Sequence, residues 1–222
     1  MIDQSRVLED FEKCGRIWLR RAVSQFELRK LEDLLSSEGA PGARVAGDDP
    51  LYRAIAEADF TRQLKTVWPG ARPVRLVTFD KTPSANWSVP WHQDRIIAVR
   101  DRHDVPGFTN WSQKSGVWHC EPPESFLQSM LFVRVHIDKN TAENGAMEIA
   151  LDSHRAGLIR SSAAVAAAEG FERELADAEP GDILVLAMLT LHRSLPSKSS
   201  DKRRALRIDY ALSELPHPLE WY

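Results

Sequence analysis

The sequence predicts a β-sandwich core, built as a double-sheeted barrel or jelly roll, with α-helices packed outside. Three observations lead there. From residue 73 onward the chain falls into short β-rich runs separated by turn chemistry. The connections between those runs are long and uneven, whereas a doubly wound α/β fold needs regular strand–helix alternation. The helical signals gather mainly ahead of residue 73, as a preamble to the strands.

In chain order, Ile17 to Leu19 reads as a short strand. Ser24 to Leu35 reads as an amphipathic helix: Ser24 is a suitable N-cap, and Phe26, Leu28, Leu31, Leu34 and Leu35 supply the apolar positions. Pro50 to Trp68 reads as a second helix, closed by Pro69-Gly70. Val74 to Lys81, Gln93 to Val99, Leu131 to Asp138, Ala146 to Ala150, Ile183 to Leu189 and Arg204 to Ala211 are the expected core strands. An Ala-rich helix over about Ala163 to Ala178, followed by Pro180-Gly181, interrupts them. Residues 100–126 carry neither period until about Pro122, yet hold Trp111, Trp118 and His119. Two tryptophans are costly to leave in water, so this stretch is expected to be ordered, either as a lid over a substrate or as a loop packed on the sheet. The expected organisation is one domain over residues 1–222, with a helical flank (1–72), a jelly-roll core (73–211) and a tail (212–222).

Composition narrows the function classes. Of the 222 residues, 43% are hydrophobic and 27% charged, which excludes a disordered or collagen-like chain. The longest apolar run, Ile183 to Leu189, is strand-sized and far short of the roughly 18 residues of a membrane span. Acids occupy the N-terminal stretch where a signal peptide would be apolar, so a soluble, cytoplasmic protein without a membrane partner is expected. A net charge of −3 provides no basic field for nucleic acid. The two cysteines, Cys14 and Cys120, are too few and too far apart for a disulfide framework or a structural zinc site. A metal in this chain has to be held by histidine and carboxylate. Nothing in the sequence sets an oligomeric state.

The chemistry concentrates in a few places. Arg134, His136 and Asp138 alternate with apolar residues, and Arg203, Arg207 and Asp209 share one strand face opposite Leu206, Ile208 and Tyr210. Two readings stand: strands half-exposed to water, or a polar barrel interior shaped for a charged small molecule. Trp91-His92-Gln93-Asp94 puts a histidine and a carboxylate two apart, on one face if they start a strand. His192, after the apolar strand, can add a third ligand. Two histidines and one carboxylate form the facial set used by non-haem Fe(II) oxygenases, which leaves coordination positions open. Eleven residues beyond His192, Arg203 enters the last strand, and a guanidinium fork is the natural partner for a distal carboxylate.

Other residues have more modest readings. His136 is a hydrogen-bonding or structural residue, and His154 stabilises a turn. His119, beside Trp118, is the best candidate for a substrate-binding histidine. Lys81 points into the barrel or snorkels to solvent. Gln93 points away from its two neighbours, toward a loop contact. Cys120 is a thiol with no assigned role.

The runs Phe79 to Pro83, Asn86-Trp87, Val89 to Asp94, Glu143 to Glu148, Ser153 to Gly157 and His192 to Tyr210 occur in an order that resembles the phytanoyl-CoA dioxygenase-like branch of the Fe(II)/2-oxoglutarate oxygenases. The resemblance covers residues 73–211, and Phe11 to Leu35 is similar to that family's opening segment. It implies a double-stranded β-helix (jelly roll, cupin-like), with Fe(II), 2-oxoglutarate and O₂ as cofactor and cosubstrates. It also implies His92, Asp94 and His192 as iron ligands, and hydroxylation of a small molecule with release of succinate and CO₂. Arg203 and Ser194 match the residues that bind the far carboxylate of 2-oxoglutarate. Arg134 falls at a cosubstrate-contacting position that is often a large aromatic in the family. Asn86-Trp87 and Trp118-His119 resemble features of a subgroup, and with Lys81 and Gln93 they are the candidate substrate contacts. Three rivals are weaker. A halogenase of this fold would lack the Asp94 carboxylate, a sensor would have lost ligands, and a zinc hydrolase would leave Arg203 without a role.

Overall fold

The computed structural model describes residues 4–35 and 42–222. Helix α1 (Gln4–Cys14) leads into β1 (Arg16–Leu19), α2 (Gln25–Leu34), β2 (Ala43–Arg44), α3 (Pro50–Glu57) and α4 (Asp59–Val67). Strands β3 (Arg72–Lys81), β4 (Val89–His92), β5 (Ile97–Val99), β6 (Thr109–Lys114) and β7 (Val117–Glu121) follow, then α5 (Glu124–Gln128). The remainder is β8 (Met130–His136), β9 (Met147–Ala150), α6 (Ala164–Ala168), β10 (Arg173–Leu175), β11 (Ile183–Ala187), β12 (His192–Ser194) and β13 (Arg203–Ala211). The pairings between these strands are antiparallel. They form a six-stranded sheet in the order β1-β11-β8-β13-β3-β2, a four-stranded sheet β10-β9-β12-β4, and a three-stranded sheet β5-β7-β6.

Strand alternation decides which residues meet. One face of the six-stranded sheet, with Val133, Val135, Val185, Leu206 and Ile208, packs against Leu28 and Leu31 of α2, Leu51 and Ile55 of α3, and Phe60 and Leu64 of α4. Its other face sends Phe132, Leu184 and Leu186 against Met147 and Ile149 of the four-stranded sheet. The outer face of that smaller sheet, with Trp91 and Ala150, is covered by Ala164 and Ala168 of α6. This is the jelly roll the sequence predicts, with its two sheets facing each other and helices outside. No described helix is long and apolar enough to cross a membrane.

The helix over Gln25–Leu34 begins as expected. Ser24 accepts from Glu27 N while Glu27 reaches back to Ser24 N, which closes a capping box. Helix α1 is an addition that the sequence reading did not include. Several expectations are corrected. The single helix over Pro50 to Trp68 is two helices broken at Ala58, whose backbone is extended (ψ 148°). Ile55 and Phe60 are both fully buried, yet five residues apart they sit about 140° round a continuous helix. The break turns both inward, and Thr61 seals it with bonds to Ile55 O and the Tyr210 hydroxyl at 2.6 and 2.7 Å.

The Ala-rich helix is also shorter than expected, ending at Ala168. Residues 173–175 instead form β10 on β9, where Glu174 joins Arg16 and Trp18 of β1. Sheet-edge pairing and an ion pair outweigh helix propensity here. The patternless stretch after residue 100 holds a hairpin, β6–β7. It turns at Ser115-Gly116, both residues with positive φ, a two-residue turn suited to the twist of its strands. Phe108, Trp111 and Trp118 pack onto the core cluster behind the sheet, so the alternative of a segment packed on the sheet holds, as a hairpin in place of a loop.

Candidate metal centre

Strands β4 and β12 are neighbours, and their register sets His92 directly opposite His192, with ring centroids 4.2 Å apart. The Nδ1 atom of His92 lies 2.8 Å from Pro90 O, and that of His192 lies 2.9 Å from Thr190 O. A carbonyl oxygen only accepts, so each Nδ1–H is the donor, which leaves Nε2 as the nitrogen available to a metal. Asp94 lies beyond the end of β4, in an irregular stretch, so the expected strand over Gln93 to Val99 shrinks to β5. Its carboxylate meets the histidines because the chain leaves the sheet, and not because two strand residues share a face.

One ligand atom from each of His92, Asp94 and His192 lies within 4.8 Å of the others. Asp94 Oδ2, 3.2 Å from His192 Nε2, is buried and accepts no hydrogen bond. Burial and the neighbouring His192 push the His92 pKa down to about 4, which keeps this imidazole neutral at pH 7. Burial alone would raise the pKa of Asp94; the Arg207 guanidinium, with the two imidazoles, holds it well below the usual carboxylate range. Two imidazoles and an ionised carboxylate around an orphaned oxygen fit a divalent cation such as Fe(II), with open positions left over.

Arg207 donates from Nη1 to Asp94 Oδ1 at 2.8 Å, and from Nε and Nη2 to Asp209 at 2.7 and 3.0 Å. It orients the candidate metal carboxylate from behind. The sequence placed Arg207 on the polar face of β13 but gave it no role; the available signal was its parity with Arg203. Arg207→Met is expected to weaken metal binding by roughly ten- to a hundredfold, as loss of a partner behind a ligand does. Anaerobic metal titration checks this, and unchanged affinity would remove the orienting role.

A cavity of about 220 Å³ is lined by both histidines and by Arg134, Arg203, Arg207 and Ser194, with Phe79, Trp87 and Phe132 among its apolar walls. Arg203 lies four residues, about 13 Å of strand, before Arg207. The cavity therefore has a metal end and a cationic end. Arg203 is 2% exposed, and its one polar contact is from Nη1 to Asn140 Oδ1 at 3.3 Å. Arg134 is also buried, with its guanidinium 5.3 Å from the Phe79 ring centroid. Nε of each arginine has no hydrogen-bond partner. Burial lowers the pKa of Arg203 to about 10, and burial beside Arg203 and Arg207 lowers that of Arg134 well below normal. Two buried guanidiniums with no carboxylate partner among the described residues call for an anion.

Ser194 Oγ faces this cavity and lies 3.3 Å from both Gly145 O and Lys81 Nζ. Lys81 is fully buried opposite Arg203 and donates to Trp87 O and Leu195 O at 2.9 and 2.6 Å. It resolves to the interior and not to solvent. Burial, Arg203 and Arg134 lower its pKa to about 7.

The other expected substrate contacts are placed elsewhere, because local bonding claims them. The Asn86 side chain exchanges two 2.8 Å bonds with Ser197 backbone, lacing two loops together. The Gln93 amide bonds Gly157 O, Leu189 O and Ile159 N, so it serves the backbone of neighbouring segments. Trp118 packs edge-on against Trp111, and buried His119 contacts Arg44. None of the four lines the metal cavity. His136 is structural, packed on Trp18 with Nδ1 3.2 Å from Asp182 O. His154 holds the α1 segment through Glu12 O at 3.1 Å. Cys120 is buried, and burial raises its thiol to about 12.

Comparison with known proteins follows the same lines. No curated protein sequence matches this chain. Among solved structures, EctD from S. alaskensis with 2-oxoglutarate and 5-hydroxyectoine superposes with a TM-score of 0.69 at 14% identity, over 93% of this chain and 75% of that one. HygX from Streptomyces hygroscopicus, with nickel, 2-oxoglutarate and hygromycin B bound, gives 0.60 at 16%, over 95% and 87%. SnoN, a non-heme alpha ketoglutarate dependent epimerase from nogalamycin biosynthesis, gives 0.63 at 13%, over 97% and 90%. At these identities the likeness establishes the fold. The family model of phytanoyl-CoA dioxygenase (PhyH) matches residues 13–205, from the end of α1 through His92, Asp94, His192 and Arg203 into β13, and the chain belongs to that family.

Proposed function

We propose that the protein is a cytoplasmic Fe(II)- and 2-oxoglutarate-dependent oxygenase that hydroxylates a small molecule. One observation carries the reading: the cavity lined by the two histidines of the His92–Asp94–His192 cluster also holds two buried arginines that have no counter-ion among the described residues. 2-Oxoglutarate has the matching ends, an oxo-acid to chelate a metal and a distal carboxylate for a guanidinium. EctD and HygX, of the same fold, were solved with 2-oxoglutarate.

Bound Fe(II) supplies oxygen activation, coupled to conversion of 2-oxoglutarate to succinate and CO₂. The chain's own residues supply the rest. His92 and His192 present their Nε2 atoms, and Asp94, kept ionised by Arg207, balances metal charge. Arg203, with Ser194 and Arg134 beside it, receives the far carboxylate. Phe79, Trp87 and Phe132 keep water from the path.

Purified protein with Fe(II), ascorbate, O₂ and 2-oxoglutarate is expected to release succinate slowly without its substrate, and faster with it. No succinate under any condition would favour a binding protein on the same frame. SnoN has this fold and is an epimerase. Incorporation of label from ¹⁸O₂ into product therefore separates hydroxylation from other outcomes.

Lys81 adds a pH dependence. Below about 7 it is protonated and adds a third positive charge behind Ser194. A bound dianion favours that charged form, so binding takes up a proton between the free and bound pKa values. The 2-oxoglutarate Kd should then rise as pH climbs above about 7. Lys81→Met should flatten the dependence, and a profile identical to wild type would dismiss Lys81 as its source.

A further inference from the structure

A second cavity, of about 420 Å³, opens between the β2–β3 edge and the β6–β7 hairpin. That volume falls within the roughly 300–1,000 Å³ of small-molecule sites. Arg44, Arg75 and Lys114 line it, together with Tyr52. Arg44 is the cross-strand partner of Val77, and Arg75 lies two residues from Val77, so both arginines project from the same face of the sheet.

These cations are under-used. No ion pair among the described residues includes Arg44 or Lys114. Arg44 contacts Nε2 of His119, whose Nδ1 donates to Val117 O at 2.9 Å. A ring bonded this way is a neutral acceptor, which positions the guanidinium without cancelling its charge. Burial and Arg44 push His119 down to about 4, in keeping with that neutral state. Arg75 reaches Asp209 only at 3.4 Å, and its Nε is buried without a partner. The Tyr52 hydroxyl accepts from Leu76 N at 3.2 Å, which leaves its own proton to donate.

The cavity is also wired to the metal centre. Arg75 contacts Asp209, Asp209 is held by Arg207, and Arg207 holds Asp94. A line of alternating charges therefore runs from the cavity wall to a candidate metal ligand.

We propose that this cavity binds the anionic group of the substrate, a carboxylate or a phosphate on a small molecule, between Arg44, Arg75 and Lys114. The word substrate rests on the oxygenase reading above; the anion site does not. A neutral ligand would leave Arg44 and Lys114 without a charged acceptor and Arg75 with only its 3.4 Å contact to Asp209, whereas either anion can take the arginine fork in two parallel bonds. Arg44 and Lys114 are exposed, so the anion can be captured from solvent.

Calorimetric titration tests this in the full chain, with 2-oxoglutarate saturating so that its own site is filled. The probes are glycerol 3-phosphate against glycerol, and benzoate against benzamide. One charged member should bind at least about tenfold more tightly than its neutral counterpart, and which one does so identifies phosphate or carboxylate. Arg44→Gln and Arg75→Gln should each weaken that binding by about tenfold or more. If Arg75→Gln fails to fold, Lys114→Gln on the exposed hairpin takes its place, with a smaller loss of about threefold expected. Equal binding of neutral and charged probes, no binding of either anion, or binding that survives the substitutions would overturn the proposal. Succinate release without substrate separates the two readings. Arg44-dependent anion binding in a protein that releases no succinate keeps the site and removes the oxygenase. Succinate release without anion binding does the reverse.

Discussion

Asp94→Ala abolishes 2-oxoglutarate turnover and weakens Fe(II) binding by more than about a hundredfold, because loss of a ligand exceeds the ten- to hundredfold cost of losing a partner behind one. Two imidazoles remain, but neither brings a negative charge to balance the metal's. Asp94 is the sole carboxylate of the cluster, and its Oδ2 accepts no hydrogen bond from the protein. The substitution also frees one arm of Arg207, which keeps its two bonds to Asp209, so the loss stays local. Anaerobic titration with Fe(II) measures the affinity apart from turnover. Retention of full turnover would disprove the metal assignment.

The second large effect separates two adjacent arginines. Arg203 and Arg204 point to opposite faces of β13. Arg203 is buried in the cavity wall without an ion pair, and truncating a buried arginine–carboxylate pair costs on the order of 2–5 kcal/mol. At about 1.4 kcal/mol per tenfold, Arg203→Ala should raise the 2-oxoglutarate KM roughly thirtyfold or more. Arg204 belongs to the helix side. It donates to both carboxylate oxygens of Asp138, at 2.9 and 2.8 Å, and to Glu32 of α2 at 2.8 Å. Arg204 is thus a tie between sheet and helix. With its side chain 26% exposed, Arg204→Ala should lower stability by about 1 kcal/mol and change the KM by less than about threefold. Steady-state kinetics on both variants decides the matter. The reverse pattern would place the cosubstrate one residue along the strand. Equal small effects would leave Arg134 as the anchor, because Arg207 is already engaged by Asp94 and Asp209.

Both predictions use residues that were visible in the sequence, but not for one uniform reason. Local rules located the α2 cap, since Ser24 and Glu27 satisfy each other within four residues. Period-two alternation located the buried strands and placed Arg203 and Arg207 on a common face. The H-x-D spacing drew attention to His92 and Asp94, although the reason offered, a shared strand face, is not how they converge. Local rules failed where tertiary bonds compete with propensity. An Ala-rich stretch became a short helix and an edge strand, and a continuous helical pattern broke at Ala58 to bury Ile55 and Phe60. The β6–β7 hairpin had a usable signal in Ser115-Gly116, but its strands lack clear alternation: β6 is largely exposed on both faces, and β7 buries polar His119 and Glu121 beside Cys120.

By itself, the sequence determined the fold class, the family resemblance and the residue types available for a metal and a dianion. Their spatial order belonged to the tertiary structure. It set His192 opposite His92, spent Gln93 and Asn86 on neighbouring backbone, engaged Arg207 with Asp94, and left Arg134, Arg203 and Arg44 without a carboxylate among the described residues. The reason is physical. Capping and alternation act over a few residues, so they are written in neighbouring positions. Whether a charged side chain is paired depends on strands tens of residues away, and on how far burial raises the cost of leaving it alone.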